Sequence, residues 1–474
     1  MTILCIPPYT KAMKKYDVLV IGSGPAGEKG AIQAAKLKRR VAVIEKQPLI
    51  GGAGLQTGTI PSKTLRETAL YLYGMKQRAI YGFHCILGKN VKFQELMHRK
   101  DTVVHRQMEV IIDQFTRNDV EIIYGEASFE DAHTLAVRDR QGRVENYQAD
   151  VILIAVGGRP NRPSEVPFGE PTVYDSDTIL QIDTIPSTLT IIGGGVIGCE
   201  YASIFSCLGT EVTVVEKQDR LLTFADEEIV NSLSYWMRQS GVVLRLGEEM
   251  ERIEVEHTGR VVTHLKSGKQ VVSEKLLFTL GRSANTESLN LEKIGVKVGK
   301  RGRVEVDHEY RTSVPNIFAA GDVIGTPGLA STSQEQGRLS MCAALMQECP
   351  VSGPSNILPY GIYTIPEISM VGETEESLTK QGIPYEVGQA FFNEVARGQI
   401  IGDIYGMLKL LFHRENRKLL GVHIIGERST ELIHIGQAVL SFNGTIDYFV
   451  NTVFNYPTLS DAYKVAALNG VNRL

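Results

Sequence analysis

The patterned part of the chain begins with the apolar run "YDVLVIG", residues 16–22, which breaks into Gly22-x-Gly24-x-x-Gly27. A short apolar run rich in β-branched residues predicts a strand buried on both faces. A helix is expected over Glu28–Lys38, then a second strand in "RVAVIEK" closed by Glu45. The pattern then repeats in "LTIIGGGVIGCEYASIFSCLGTEVTVVEK", with Gly193-x-Gly195-x-x-Gly198 at its turn and Glu216 closing its second strand. In both copies the acidic residue lies 23 positions after the first glycine. An internal repeat of strand, glycine turn, helix and strand implies two dinucleotide-binding domains of the Rossmann type.

Between the copies, "VVHRQMEVIIDQF" places Val104, Met108, Ile111 and Phe115 on one face of a helix. The alternating segments "EIIYGEASF" and "HTLAVRD" predict strands, and "ADVILIAVGGRP" and "KLLFTLGRSANT" read as apolar strands at the two crossings between nucleotide domains. From about residue 355 the chain changes to strands such as "YGMLKLLFHRE" and "KLLGVHIIGE" followed by helices, an α+β domain without a nucleotide fingerprint. The fold class expected is α/β, with two Rossmann-like domains and a C-terminal α+β domain. The expected divisions are an extension over 1–15, a first nucleotide domain in two parts (16–157 and 285–350), a second over 158–284, and the C-terminal domain over 351–474.

Composition narrows the function by exclusion. With 43% hydrophobic and 22% charged residues and a net charge of −4, the 474-residue chain has no electrostatic footprint for nucleic acid or an anionic membrane. No apolar run approaches the roughly 20 residues that span a bilayer. The N-terminus "MTILCIPPYTKAMKK" lacks a secretory apolar core followed by a cleavage site and reads as an unstructured extension, with Met13 a second candidate start. The six cysteines (Cys5, Cys85, Cys199, Cys207, Cys342 and Cys349) form no C-x-x-C and have no His at metal-ligand spacing. They read as free thiols in a reducing cytosol, although the seven-residue spacing of Cys342 and Cys349 would put both on one face if a helix ran through them.

Each fingerprint glycine has a physical task. The first makes the tight turn, the second lets backbone approach a pyrophosphate, and the third lets the helix pack on the strand. The pyrophosphate then rests on the helix N-terminus, where N–H groups and the dipole favour an anion. One such motif is a weak signal; two, each with a carboxylate at the ribose position, are a strong one.

The order of "GSGPAG", "GTIPSK", "GGGVIGCE", "AAGD", "TIPEISMVGETE" and "FNYPTLSDAY" resembles the FAD-dependent pyridine nucleotide–disulfide oxidoreductases over residues 16–474, and among them the soluble pyridine nucleotide transhydrogenase branch. The resemblance implies FAD on Gly22, Gly24, Gly27, Glu45, Gly52, Gly157, Gly321, Asp322 and Ala330. Asp322 would bind the ribityl chain, and the helix from Leu329–Ala330 would aim at the flavin. It implies NAD(H) on Gly193, Gly195, Gly198, Glu216 and Gly281, with Lys63 and Glu200 as the catalytic pair beside the flavin. It also implies a cytoplasmic homodimer formed through the C-terminal domain, or a larger homo-oligomer, acting on pyridine nucleotides with neither nucleic acid nor membrane as partner.

Two departures shape the activity expected. Disulfide-reducing members carry a C-x-x-x-x-C dithiol before I-P-S-K and a His-Pro-Thr base near the C-terminus. Here Gly54 and Thr59 stand at the two cysteine positions, and the later segment reads Tyr456-Pro457-Thr458. A thiolate nucleophile needs a sulfur and an adjacent base, so no disulfide is expected to be reduced and hydride transfer through FAD remains. The second departure is Glu216. A carboxylate there accepts hydrogen bonds from the 2′-OH of NAD and repels a 2′-phosphate, although Lys217 and Arg220 lie near enough to leave NADP(H) as an alternative. The expected function is FAD-dependent transhydrogenation between NAD(H) and NADP(H). The alternatives are an NADH-specific flavin dehydrogenase delivering electrons to a quinone or other acceptor, and a module that senses nucleotides without turnover.

Overall fold

The computed structural model describes residues 13–76, 93–325, 327–346 and 357–474. Cys5, Cys85, Cys349 and the extension up to residue 12 lie outside the described residues. The chain falls into two compact units: the described residues of Met1–Gln56, His105–Arg159 and Arg282–Gly353, and those of Thr57–Val104, Pro160–Gly281 and Pro354–Leu474.

The first unit is built on a parallel sheet in which Lys14–Ile21 lies between Val41–Glu45 and Val144–Ile154. Glu121–Tyr124 extends it on one side, and Ile317–Ala319 also pairs in parallel with Val144–Ile154. The fingerprint helix runs Pro25–Lys36, three residues earlier than its sequence pattern suggests. Pro25 has no N–H to leave unpaired and so fits the first helical position, with Gly24 as the N-cap. The expected strand over "EIIYGEASF" is two strands. Gly125 donates to the Glu45 carbonyl at 2.9 Å, and Glu126–Phe129 then turns antiparallel onto Thr134–Arg138. The helix Phe93–Arg117 carries the expected face, with Ile111 and Phe115 buried.

In the first unit, the helix Ala330–Leu345 crosses the fingerprint helix at glycine on both sides. A Cβ on Gly337 would sit 2.0 Å from the Ala26 carbonyl oxygen, and one on Gly30 would lie 3.2 Å from that of Gly337. Only backbone against backbone allows that approach.

The second unit holds three sheets among its described residues, the smallest being the antiparallel Met250–Val255, Val261–Leu265, Gln270–Ser273. A five-stranded parallel sheet runs Val243–Leu246, Glu211–Glu216, Thr188–Ile192, Lys275–Phe278, Val173–Asp175. A five-stranded antiparallel sheet from the C-terminal region runs Tyr360–Ile362, Ile368–Gly372, Leu419–Ile425, Met407–His413, Tyr385–Phe391. The helix Thr59–Lys76 packs on Val196–Leu208, with Leu65 and Ala69 fully buried among Tyr201, Phe205 and their neighbours.

Candidate active site

The two glycine turns share one backbone arrangement. Gly22 (φ +101°) donates to the Ile44 carbonyl at 2.8 Å, and Gly193 (φ +113°) donates to that of Val215 at 2.9 Å. The positive φ excludes other residues, and a Cβ on either Gly27 or Gly198 would fall 1.9 Å from the carbonyl oxygen of the first glycine. The carboxylates are placed alike too. Glu45 Oε2 accepts from the Ser23 N–H (3.0 Å) and hydroxyl (2.7 Å), and its Oε1 accepts from the Gln47 N–H at 2.8 Å. Glu216 Oε2 accepts from the Gly194 N–H at 2.5 Å and its Oε1 from the Gln218 N–H at 2.8 Å. Each carboxylate therefore ties the middle of its glycine loop to the end of the neighbouring strand.

What surrounds the turns suits an anionic dinucleotide. The helices starting after Gly24, Gly195 and Leu329 have no side-chain cap, whereas Glu227–Gln239 is capped by Asp226. Their first-turn N–H groups are left to an anion. A Cβ on Gly195 or Gly157 would meet no protein atom within 4 Å, and one on Gly24 would meet only the Gly52 Cα at 3.7 Å. Gly52 itself (φ +59°) is pressed against Gly24, since its Cβ would lie 2.7 Å from the Gly24 Cα. Gly321 (φ +84°) donates to Gln336 Oε1 at 2.9 Å, and Asp322 follows with the Arg282 guanidinium 3.9 Å away. Burial pushes the Asp322 carboxyl above the usual range while Arg282 opposes it. Gly281 (φ +86°) accepts from the Asn161 N–H at 3.0 Å.

Lys63 and Glu200 meet within the second unit. Lys63 Nζ donates to Glu200 Oε2 at 2.7 Å; the two side chains are 24% and 5% exposed. A residue that the sequence did not single out completes the pair. The Tyr363 N–H donates to Glu200 Oε1 at 2.9 Å, and the Tyr363 ring lies 5.0 Å from Lys63 Nζ. Both carboxylate oxygens are thus used and the ammonium faces an aromatic ring, a favourable contact for a cation. Ser23 was likewise unmarked, although it sits inside the first fingerprint. The described cysteines Cys199, Cys207 and Cys342 are buried. Burial, reinforced by Glu200 and Glu216, pushes the Cys199 thiol far up, which leaves it inert. Gly54 lies against Pro25, 3.1 Å from where its Cβ would stand, and Thr59 opens the helix Thr59–Lys76.

Two such turns, two strand-end carboxylates and a partly buried lysine–glutamate pair define a two-nucleotide oxidoreductase. Residues 16–337 match the pyridine nucleotide-disulphide oxidoreductases, and residues 358–467 match the dimerisation domain of the same proteins. The chain belongs to this family, whose enzymes use FAD and NAD(P)H. A soluble pyridine nucleotide transhydrogenase of Mycobacterium bovis (strain BCG / Pasteur 1173P2) is 49% identical over 463 residues, 98% of each chain. One from Enterobacter sp. (strain 638) is 48% identical over 462 residues, 97% of this chain and 98% of its own. Among solved structures, LpdA from Mycobacterium tuberculosis matches with a TM-score of 0.88 at 26% identity, covering 96% of this chain and 99% of its own. The HOCl-induced flavoprotein disulfide reductase RclA from Escherichia coli matches at 0.86 and 27%, with the same coverage. Open space at Gly157 and Gly195 together with the uncapped helix starts fits the family's nucleotides. No helix among the described residues is long and apolar enough to cross a membrane.

Proposed function

We propose that this chain is an FAD-dependent soluble pyridine nucleotide transhydrogenase that passes hydride between NAD(H) and NADP(H) without a redox disulfide. The observation that carries the reading is the intact pair of nucleotide turns together with Gly54 and Thr59, which stand at the two sequence positions of the dithiol. Bound FAD would supply the two-electron acceptor and donor between the nucleotides. Gly22, Gly24, Gly27, Gly52, Glu45, Gly157, Gly321, Asp322 and Ala330 would hold it, with 16–157 and 285–350 as its domain. Gly193, Gly195, Gly198, Glu216 and Gly281 would hold the pyridine nucleotide in 158–284. Glu216 accepts at the ribose while its other bonds keep the loop closed. Lys63 and Glu200 hold charge fixed where hydride transfer is carried out, and Tyr363 keeps the carboxylate from turning. The chain works as a cytoplasmic homodimer through residues 351–474.

A second reading is an NADH-specific flavin dehydrogenase, and the rigid placement of Glu216 favours it. Anaerobic mixing with NADH and then NADP⁺ separates the two. Bleaching of the flavin band followed by its return on adding NADP⁺ supports transhydrogenation. Return only with a quinone supports the second reading. A protein purified gently without flavin absorbance overturns both.

A further inference from the structure

The segment "TIPEISMVGETE" marks the family, yet the site described above leaves its acidic end without a task. In the fold, Glu375 and Glu376 open the helix Glu375–Gln381, which Thr374 caps through the Ser377 N–H. Glu376 faces the loop that leaves Glu216, across a contact inside the second unit. Glu376 Oε1 lies 3.3 Å from Arg220 Nη1 and accepts from the Glu227 N–H at 3.1 Å. Glu375 instead bonds Lys409, which also holds both oxygens of Asp226 at 3.0 Å.

Arg220 lies four residues beyond the ribose carboxylate, and its loop folds back on the glycine turn. The Leu222 N–H donates to the Gly194 carbonyl at 3.0 Å, and a Cβ on Gly194 would meet Leu221 Cδ2 at 2.6 Å and Glu216 Cγ at 3.0 Å. Arg220 is thus a planar cation suited to a phosphate, set beside the position where NADP(H) differs from NAD(H). Its fork is already engaged: Nη2 donates to the Thr223 carbonyl at 2.9 Å, Nη1 faces Glu376, and Glu227 is the second carboxylate at 3.7 Å. The other nearby cation, Lys217, lies 3.3 Å from Glu249.

We propose that Glu376 is a specificity-determining residue of the pyridine nucleotide site: it occupies Arg220 as an internal stand-in for the 2′-phosphate of NADP(H). NAD(H) binds with the Arg220–Glu376 pair closed. NADP(H) binds when its 2′-phosphate takes the guanidinium from Glu376. The exchange is cheap because the pair is open to solvent, with side chains 28% and 40% exposed, and such pairs are weak. The chain can therefore keep Glu216, which favours NAD(H), and still admit the phosphorylated nucleotide that a transhydrogenase must also use. The inference rests on the proposed nucleotide site and deepens it.

The test uses the full-length flavoprotein and two fragments that reach only the adenosine end, 5′-AMP and adenosine 2′,5′-bisphosphate, with binding measured by calorimetry. E376Q keeps an oxygen for the Glu227 N–H and removes the nearer of the two charges opposing Arg220, leaving Glu227 in place. It should bind the bisphosphate about two- to fivefold more tightly than the wild type, while 5′-AMP stays within the scatter of the measurement. Adding R220Q to E376Q should erase the gain, and raising the salt should shrink it. Unchanged bisphosphate affinity in E376Q, with 5′-AMP still bound, overturns the role of Glu376 and leaves the proposed function standing. A gain that survives R220Q overturns it equally. A wild type that binds neither fragment removes the nucleotide site, and both readings with it.

Discussion

Replacing Glu216 by glutamine tests the ribose contact proposed for that carboxylate together with its part in the loop. Its two oxygens are both committed, to the Gly194 N–H at 2.5 Å and the Gln218 N–H at 2.8 Å. An amide has one acceptor. Gly194 is buried and Gln218 exposed, so the amide oxygen goes to Gly194 and the Gln218 N–H turns to water. Exchanging a charged acceptor for a neutral one at Gly194 costs about 1 kcal/mol, and releasing Gln218 adds about 0.5 kcal/mol. Weakening the proposed bond to the ribose hydroxyl by about 0.5 kcal/mol brings the total for NADH to about 2 kcal/mol, or about a 30-fold loss in kcat/KM. NADPH suffers the same loosening but escapes a like-charge contact of about 1–3 kcal/mol, so its kcat/KM should stay nearly level. The preference for NADH therefore narrows from the NADH side. Stopped-flow reduction of the flavin by each nucleotide, with 5′-AMP binding as the control, provides the assay. If E216Q keeps wild-type efficiency with NADH and gains tenfold with NADPH, Glu216 does no work on the loop and the reasoning fails.

Three further perturbations follow from the same geometry. Lys63→Ala leaves the Glu200 carboxylate with the Tyr363 N–H alone in a nearly closed site; it should cost about 2–4 kcal/mol of stability and slow reduction by NADH, and K63A/E200Q should recover part of the melting temperature because no charge is stranded. Alkylation of the native protein should leave NADH-dependent dye reduction intact, since Cys199, Cys207 and Cys342 are buried and no described cysteine stands where the dithiol would be; strong turnover with dihydrolipoamide or glutathione disulfide would refute that. Lys409→Met strands Asp226, Glu228 and Glu375 around a cation position only 1% exposed, so thermal melting should show a loss of about 3–5 kcal/mol, partly restored by D226N.

Local spacing alone carried the two nucleotide turns. A glycine forced to positive φ at Gly22 or Gly193, and one pressed on a carbonyl at Gly27 or Gly198, are demands made within a few residues, so they are written in consecutive letters. The strand-end carboxylates were legible for the same reason, because a strand–turn–helix–strand unit returns Glu45 and Glu216 to their own turns. The missing dithiol at Gly54 and Thr59 needed only the reading of two positions. What the tertiary structure decided is who completes each site. Tyr363 reaches Glu200 across 163 residues through its backbone N–H, which every residue but proline possesses, so no letter announces it. Glu376 reaches Arg220 across 156 residues; the sequence marks Arg220 by its nearness to Glu216, but Glu376 reads as an ordinary surface charge until the loop and the helix meet. Lys409, in the run "MLKLLF", breaks an apolar strand as an outward-facing residue would, yet three carboxylates from other elements close over it. Periodicity tells which side of an element a residue takes, and long-range packing alone determines what stands opposite.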